Sequence, residues 1–405
     1  MMQLTPYDEF PVHQAAYPFS YIPSTDYNWD DGYYFGVFSP DDGVFLATGV
    51  RVNPNSDMIG GYALLNVHGH QTTVRFSRAW RRDFNLRVGP WRVEFIEPLK
   101  KLRLVLEDND SGMTFDIVWT GSSPAFLEEH HSAMHRGRRT TDQTRYSQPG
   151  SAEGRITLGD KSWDVTPDKW SGARDHSWGL YSERPPLSPL ASWLPPKEVD
   201  NGPKRSLRFW TCFRTDPISG FFHLHEDADG HQAKFNDVFG TPFGGALFNG
   251  WSEPIELVAG RHEIELQPGT RMLKKAVLHL TDSQGREWRQ IFEAVAPPWV
   301  AQTMGYHPGS WTDGGTFFTY HGSEELAIEW DHYDFSKQPV HHKMHRVGGE
   351  QGASHFGEGS YSDDMICGAE FLCRVTTHAP DGSVSTGAAQ VELFISGAYK
   401  PLGLE

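Results

Sequence analysis

The feature that most constrains the fold is a repeated alternation of apolar and polar residues. Between positions 91 and 95, Trp, Val and Phe alternate with Arg and Glu, and between 113 and 119 Met, Phe, Ile and Trp recur at every second position. Side chains of a strand point alternately to its two faces, so this period predicts strands with one buried and one solvated face. Turn-forming residues separate such runs at 41–43, 109–112 and 283–285. We therefore predict an antiparallel all-β chain with few short helices.

The length of the chain divides these strands into two units. A chain of 405 residues exceeds what one ordinary core holds. Its strongest linker signal is the proline-rich segment 183–203. Closing each half into a β-barrel removes exposed strand edges. We predict an N-terminal barrel with an N-terminal arm over residues 1–195 and a C-terminal barrel over residues 196–405.

Charge and motif content exclude several classes of function. The formal net charge of −16 disfavours nucleic acid and anionic membranes as partners. The three cysteines, at 212, 367 and 373, have no CxxC spacing, which argues against a disulfide framework or a structural zinc site. No Walker loop, dinucleotide-binding glycine motif or serine nucleophile elbow occurs. Because these motifs are missing, we expect no cofactor. The N-terminus has no signal-peptide pattern, so we also expect a cytoplasmic protein without membrane insertion.

The decapeptide 170–179 concentrates the side chains best suited to chemistry. Asp175 and His176 are both usable as general acid or base near neutral pH. Arg174 could hold a carboxylate ionised or receive an oxyanion. Trp170 and Trp178 would supply apolar walls. We predict Arg174, Asp175 and His176 as catalytic residues and both indoles as substrate contacts.

The adjacency of Asp175 and His176 limits this prediction. On a regular strand, neighbouring side chains point to opposite faces, so both reach one cavity only across a turn or bulge. Gly172 and Gly179 make such a bulge plausible. In the structural alternative, Arg174 and Asp175 form an ion pair at the domain junction and His176 is a satisfied buried histidine.

A second polar cluster lies at 128–135. Residues 125–136 are the best helix candidate, and on a helix His131 and His135 would share a face with Glu128 one turn earlier. Metal ligands are placed in this way, but a metal site is the less favoured interpretation of the cluster. A solvated polar loop is the favoured alternative, because the His-Glu-x-x-His pattern is absent.

The segment 172–179 resembles the Asp-His-Asn-Trp-Gly segment of the hydroxyneurosporene-synthase-like (carotenoid 1,2-hydratase-like) double-lipocalin superfamily, with Ser177 where Asn is common. The resemblance implies two lipocalin-type barrels with this segment at their junction. It also implies a large apolar ligand and acid-base or conformational catalysis without a cofactor, as in hydratases of isoprenoid double bonds and in proteins that shape polyenes for cyclisation. Asp175 and His176 are the positions it carries over.

Together these observations predict a cofactor-independent lyase or isomerase, of hydratase, dehydratase or cyclase type. Its substrate would be a hydrophobic, isoprenoid or polycyclic small molecule at the barrel junction, and Glu129, His131 and Asp331 are further predicted contacts. No bound metal is predicted, and a homodimer is compatible with the sequence. The alternatives are a non-catalytic carrier of hydrophobic ligands and a metal-dependent hydrolase using Glu128, His131 and His135.

Overall fold

The computed structural model describes residues 6–9, 11, 15–80, 83–128, 130–135, 137–181, 206–233, 241–305, 311–334, 336, 343–345, 361–366, 369–395 and 397–404. Strands make up 62% and helices 3% of the structure, which confirms the all-β prediction. The strands form two large antiparallel sheets. Within the described ranges, no helix has the length and apolar character needed to cross a membrane.

The first sheet is a curled half-barrel. It contains β1 (Trp29–Ser39), β2 (Val44–Asn53), β3 (Met58–Val67), β4 (His70–Ala79), β5 (Arg87–Val88), β6 (Trp91–Glu97), β7 (Lys101–Leu106), β8 (Met113–Gly121), β9 (Phe126–Leu127), β10 (His131–His135), β11 (Arg138–Leu158), β12 (Lys161–Val165), β13 (Ser171–Tyr181) and β21 (Ala327–Asp334). The order across the sheet is β21-β4-β3-β2-β1-β13-β11-β8-β7-β6-β5, and β9, β10 and β12 also pair with β11. Strand β13 therefore lies near the middle of the sheet.

The second sheet is a closed barrel of eight strands. It contains β14 (Leu207–Arg214), β15 (Ile218–Glu226), β16 (Phe243–Asn249), β17 (Ile255–Leu266), β18 (Leu273–Asp282), β19 (Glu287–Ala294), β24 (Ala369–His378) and β25 (Val384–Ile395), and the short β20 (Trp299–Val300) adds to β24. Pairing of β19 with β24 closes the ring. A separate hairpin joins β22 (Lys343–His345) to β23 (Tyr361–Ile366), and short helical turns occupy Pro6–Glu9, Ala301–Met304 and Lys400–Leu402.

The predicted turns lie where the chain reverses. Residues 41–43 connect β1 to β2, 109–112 connect β7 to β8, and 283–285 connect β18 to β19. In the first of these, Gly43 adopts a φ of 61°, a left-handed conformation that favours glycine. The local turn chemistry was therefore readable from the sequence, and these predictions are confirmed.

Three apolar cores hold the two sheets. One fills the inner face of the half-barrel, around Phe35, Trp91 and Trp119, and a second fills the closed barrel. The third lies between the outer faces of the two sheets, where Phe45 and Tyr62 of the first sheet belong to the same buried cluster as Trp210 of the barrel. The opposite face of the first sheet is thus buried against the second unit.

The division into two domains needs one qualification from the topology. The predicted boundary at residue 195 lies outside the described residues and stays a prediction. Strand β21, which belongs to the predicted C-terminal half, pairs with β4 at the edge of the first sheet. The predicted arm ends before Trp29, where β1 begins. Its described part packs on the first sheet, where Tyr7 meets Phe84 edge to face at 6.0 Å.

A buried arginine fastens β21 to the first sheet, which gives a test of this topology. Arg75 on β4 is 2% exposed and bonds Asp331 at 2.6 Å and Glu329 at 3.0 Å. Arg75→Met should lower the free energy of unfolding by about 2 kcal/mol, because two partly buried carboxylates lose their counter-ion. Urea denaturation measures this. The exposed pair of Arg103 and Asp116 on the same sheet provides the control, and Arg103→Met should have a smaller effect; equal effects would contradict the role of Arg75.

Candidate functional site

Strand β13 carries the decapeptide, and hydrogen-bonded neighbours hold it on both sides. It pairs with β1 and with β11, and neither register shifts between Ser171 and Leu180. The bulge that would bring Asp175 and His176 to one cavity is therefore not formed. Regular alternation places Arg174, His176 and Trp178 on one face and Asp175 on the other.

The glycines of this strand serve close packing rather than a turn. A Cβ at Gly179 would lie 2.1 Å from the Asp142 carbonyl oxygen, and the φ of Gly179 is 122°. A Cβ at Gly172 would lie 2.4 Å from Nε1 of Trp119. Side chains at these positions would force β13 away from its neighbours. The two glycines thus allow the strand to run straight between β1 and β11.

His176 lies within a group of aromatic rings on the inner face of the first sheet. Its imidazole stacks on Tyr33 with ring centroids 3.9 Å apart, and the rings of Trp178 and Tyr146 lie at 4.9 and 5.3 Å. We call Tyr33, Tyr146, His176 and Trp178 the aromatic cluster. Each member keeps some accessible surface, so the cluster is not part of a sealed core.

A carboxylate orients the imidazole. Nε2 of His176 lies 2.7 Å from Oδ1 of Asp31, whose side chain is 51% exposed while that of His176 is 15% exposed. With the Nε2 proton held by Asp31, the lone pair of the neutral ring is on Nδ1. The contact with Asp31 thus fixes the orientation of the ring.

Arg174 lies behind the aromatic cluster. It is 1% exposed, its Nε donates to Oε1 of Gln148 at 2.8 Å, and its guanidinium lies over the rings of Trp119 and Tyr146 at 5.1 and 5.2 Å. Burial lowers the pKa of Arg174. Burial also raises the pKa of Tyr146, an effect that the positive charge of Arg174 opposes. Arg174 therefore acts on the cluster through Tyr146 and has little surface for a ligand.

The two predicted indole walls have different environments. Trp178 is partly accessible beside His176, whereas Trp170 is 1% exposed within the inner core. The prediction that Trp170 contacts substrate does not fit this burial. Tyr33 and Asp31 were missed by the sequence analysis, because Asp31 precedes His176 by 145 positions and only the pairing of β1 with β13 brings them together.

Asp175 belongs to a different environment between the two sheets. Burial raises its pKa, while the charges of Arg145 and Arg51 oppose the rise. Burial, together with Glu128 and Asp175, raises the pKa of the Cys212 thiol on the barrel. Opposite faces also separate Asp175 from Arg174, so the alternative in which the two form an ion pair does not describe this strand.

Other polar groups share this space, which we call the polar layer: Tyr34, Glu128, His131, Arg145, Asp175, Arg208, His223, Glu370, Gln390 and Glu392. Tyr34 of the first sheet donates to Gln390 of the second at 2.9 Å, and Gln390 donates to Glu370 on the neighbouring strand at 3.0 Å. Burial raises the pKa of Glu370 well above its ordinary value. The layer is therefore a partly buried junction rich in charge-bearing groups.

The histidine cluster is not helical. Residues predicted as a helix form β9 and β10 instead, because they pair with β11 along its length. His131 and His135 begin and end β10, so they do not lie one helical turn apart as the predicted metal site requires. His131 faces the polar layer, where burial and nearby Arg145 lower its pKa to about 3. Glu129 lies outside the described residues.

Asp331 and the metal-ligand geometry also depart from the predictions. Asp331 bonds Arg75 on β4, and its own strand β21 is five strands from β13 in the order of the sheet. In the described part of the chain, the metal-ligand side chains that meet within 4.8 Å are Asp227, Asp229 and His231, mostly exposed on the turn after β15. That group includes none of the residues predicted for a hydrolase.

The raised pKa of Asp175 predicts how stability depends on pH. Between the ordinary pKa of 3.8 and the raised value, the folded state holds a proton that the unfolded state has lost, so stability falls as the pH rises through this window. Asp175→Asn removes the titration. The variant should be more stable than the parent at pH 7, and the difference should vanish below about pH 4.

Urea denaturation across this pH range measures the difference. Asp164→Asn is the control, because that carboxylate is 84% exposed. A stability difference between Asp175→Asn and the parent that is the same at every pH would contradict the buried environment of Asp175.

Comparison with known proteins adds a family. A search of curated proteins finds no match. Kievitone hydratase from Nectria haematococca is similar over 98% of this chain and 96% of its own, with 10% identity and a TM-score of 0.41. CghA, solved alone and with Sch210972, is similar over 91% of this chain and 89% of its own, at 10% and 9% identity and a TM-score of 0.45.

Such distant likenesses carry no argument about activity, and the predicted hydratase-like superfamily stays a prediction. Residues 4–351 match the Family of unknown function (DUF8625), and the chain belongs to that family.

Proposed function

We propose that the chain is a cofactor-independent lyase or isomerase that moves a proton on a hydrophobic small molecule held at the aromatic cluster. The observation that carries the proposal is the 2.7 Å contact between His176 and Asp31, with the imidazole stacked on Tyr33. General acid-base groups of this kind contribute about 10² to 10⁴ in rate. The site lies on the inner face of the first sheet rather than at the junction of the two units.

The arrangement suits addition or loss of water and double-bond migration. The imidazolium of His176 would give its Nδ1 proton to one alkene carbon, and the π pair forms the new C–H bond. The cation on the other carbon then takes up water and returns a proton to Nδ1, or loses a neighbouring proton to Nδ1 and yields the isomer. Each route restores the imidazolium. The faces of Tyr33, Tyr146 and Trp178 would stabilise the cationic carbon.

Asp31 and Arg174 support this role without carrying the proton to substrate. Asp31 stabilises the charged imidazole and fixes its orientation, as a carboxylate does for a catalytic histidine. Arg174 is a positioning residue, because its contacts are Gln148 and the rings of Trp119 and Tyr146. Asp175 has no part in the proposed step, since it faces the polar layer.

Hydrogen-deuterium exchange into carbon tests the proposal before the product is known. Purified protein in D₂O is incubated with a panel of isoprenoid and polycyclic alkenes and alcohols, and mass spectrometry measures carbon-bound deuterium and any added or lost water. His176→Gln should lower the rate at least about 10²-fold, because the proton carrier is lost. Asp31→Asn should lower it less, since the amide oxygen still accepts from Nε2.

Asp175→Asn is the matched control, because it changes the adjacent residue on the other face of the same strand. Its rate should equal that of the parent. Loss of turnover in Asp175→Asn with full turnover in His176→Gln would overturn the proposal and move the chemistry to the polar layer. Ligands that bind and are recovered without deuterium or water exchange would favour the carrier alternative.

A further inference from the structure

A cleft of about 690 Å³ lies between the N-terminal arm and the first sheet. The arm lines it with residues 23–27 and β1 with Trp29, while the opposite wall consists of Arg138, Arg139, Asp142 and Leu180. This volume is within the range of small-molecule sites. We call it the arm cleft.

Hydrogen bonds hold the arm wall of this cleft in place. Nδ2 of Asn55 donates to the carbonyl oxygens of Ser24 and Asp26 at 3.0 and 2.7 Å. Nδ2 of Asn53 donates to the carbonyl oxygen of Tyr27 at 2.6 Å. The backbone that lines the cleft is therefore tied to the turn after β2.

Strand β13 links the arm cleft to the aromatic cluster. Leu180, Trp178 and His176 alternate along the same face of β13, and Trp29 is the registered partner of Leu180 on β1. Four residues of strand separate Leu180 from His176, which is about 13 Å. One elongated molecule can therefore contact the aromatic cluster with one end and the arm cleft with the other.

The charges in the cleft are balanced pair by pair. Arg138 contacts Asp26 at 2.7 Å, Arg139 pairs with Asp142, and Nε2 of His130 lies 2.8 Å from Asp142. An anionic group would have to compete with these carboxylates, and a cationic group with these guanidinium groups. The cleft thus favours a ligand group without net charge.

The remaining capacity of these groups is for hydrogen bonds. The side chains of Arg138 and Arg139 are 71% and 57% exposed, and each guanidinium carries five N–H donors, more than its carboxylate contact uses. The carboxylates of Asp26 and Asp142 supply acceptors beside these donors. Tyr27 is 61% exposed and offers an aromatic face. Hydroxyl groups donate and accept at once, so a ring that carries several of them matches this surface.

We propose that the arm cleft binds a neutral polyhydroxylated, sugar-like end of the substrate, whose apolar part lies over His176. The inference rests on the proposed function and names the class of its substrate: an amphipathic molecule with an uncharged hydroxylated head. The hydroxyls bond the Arg and Asp side chains at the rim, and the C–H face of the ring packs on Tyr27.

Binding of four octyl compounds tests this inference without turnover. Octyl β-D-glucoside, octyl sulfate, octylammonium chloride and 1-octanol share the apolar chain and differ in the head group, and calorimetry below micellar concentrations gives their affinities. The glucoside should bind at least about tenfold more tightly than each of the other three, as expected from a few added hydrogen bonds.

Variants assign that preference to the cleft. Tyr27→Ala and Asp142→Asn should each weaken binding of the glucoside about tenfold and leave 1-octanol unchanged. Tyr320→Ala is the control, since Tyr320 is 56% exposed and is not among the residues that line the cleft. Tightest binding of the sulfate or of octylammonium, or equal binding of glucoside and octanol, would overturn the inference.

The outcome is separable from that of the proposed function. Head-group selectivity without deuterium incorporation would support the arm cleft as a binding site and contradict the proposed lyase or isomerase activity. Deuterium incorporation that depends on His176, with no preference for the glucoside, would support the proposed function and contradict only the hydroxylated head group of the substrate.

Discussion

The hydrogen bonding of β13 on both edges is the constraint on which the rest of the site depends. A strand held in register by β1 and β11 must send successive side chains to opposite faces. Arg174, His176 and Trp178 therefore share the inner face, and Asp175 is directed to the second barrel. Two adjacent residues that look like one catalytic pair in the sequence thus belong to two separate environments.

These two environments differ in how burial affects their ionisable groups. On the inner face His176 has a carboxylate partner that is half exposed, so the pair keeps contact with solvent through Asp31. In the polar layer, burial raises the pKa of Asp175 and Glu370 and lowers that of His131 to about 3. Desolvation there favours neutral forms. The hydrogen bond from Tyr34 to Gln390 joins the two sheets across this layer.

Local patterns predicted much of the fold. The alternation at 113–119 and the turn at 109–112 correspond to β8 and the turn before it, because strand period and turn chemistry are set by neighbouring residues. The prediction of a helix at 125–136 was wrong. Its histidines and acidic residues show no strong periodicity, so pairing with β11 decides its conformation. Tertiary pairing overrides a weak local preference.

The sequence by itself determined the all-β class, the main turns and the unusual composition of 170–179. Only the tertiary structure decided that His176 has Asp31 as its partner, that Asp175 faces the polar layer, and that β21 joins the first sheet. The physical reason is the separation in sequence between the residues that interact. Alternation and turns depend on residues a few positions apart, whereas these contacts depend on which strands pair across more than a hundred residues, and no local period encodes that pairing.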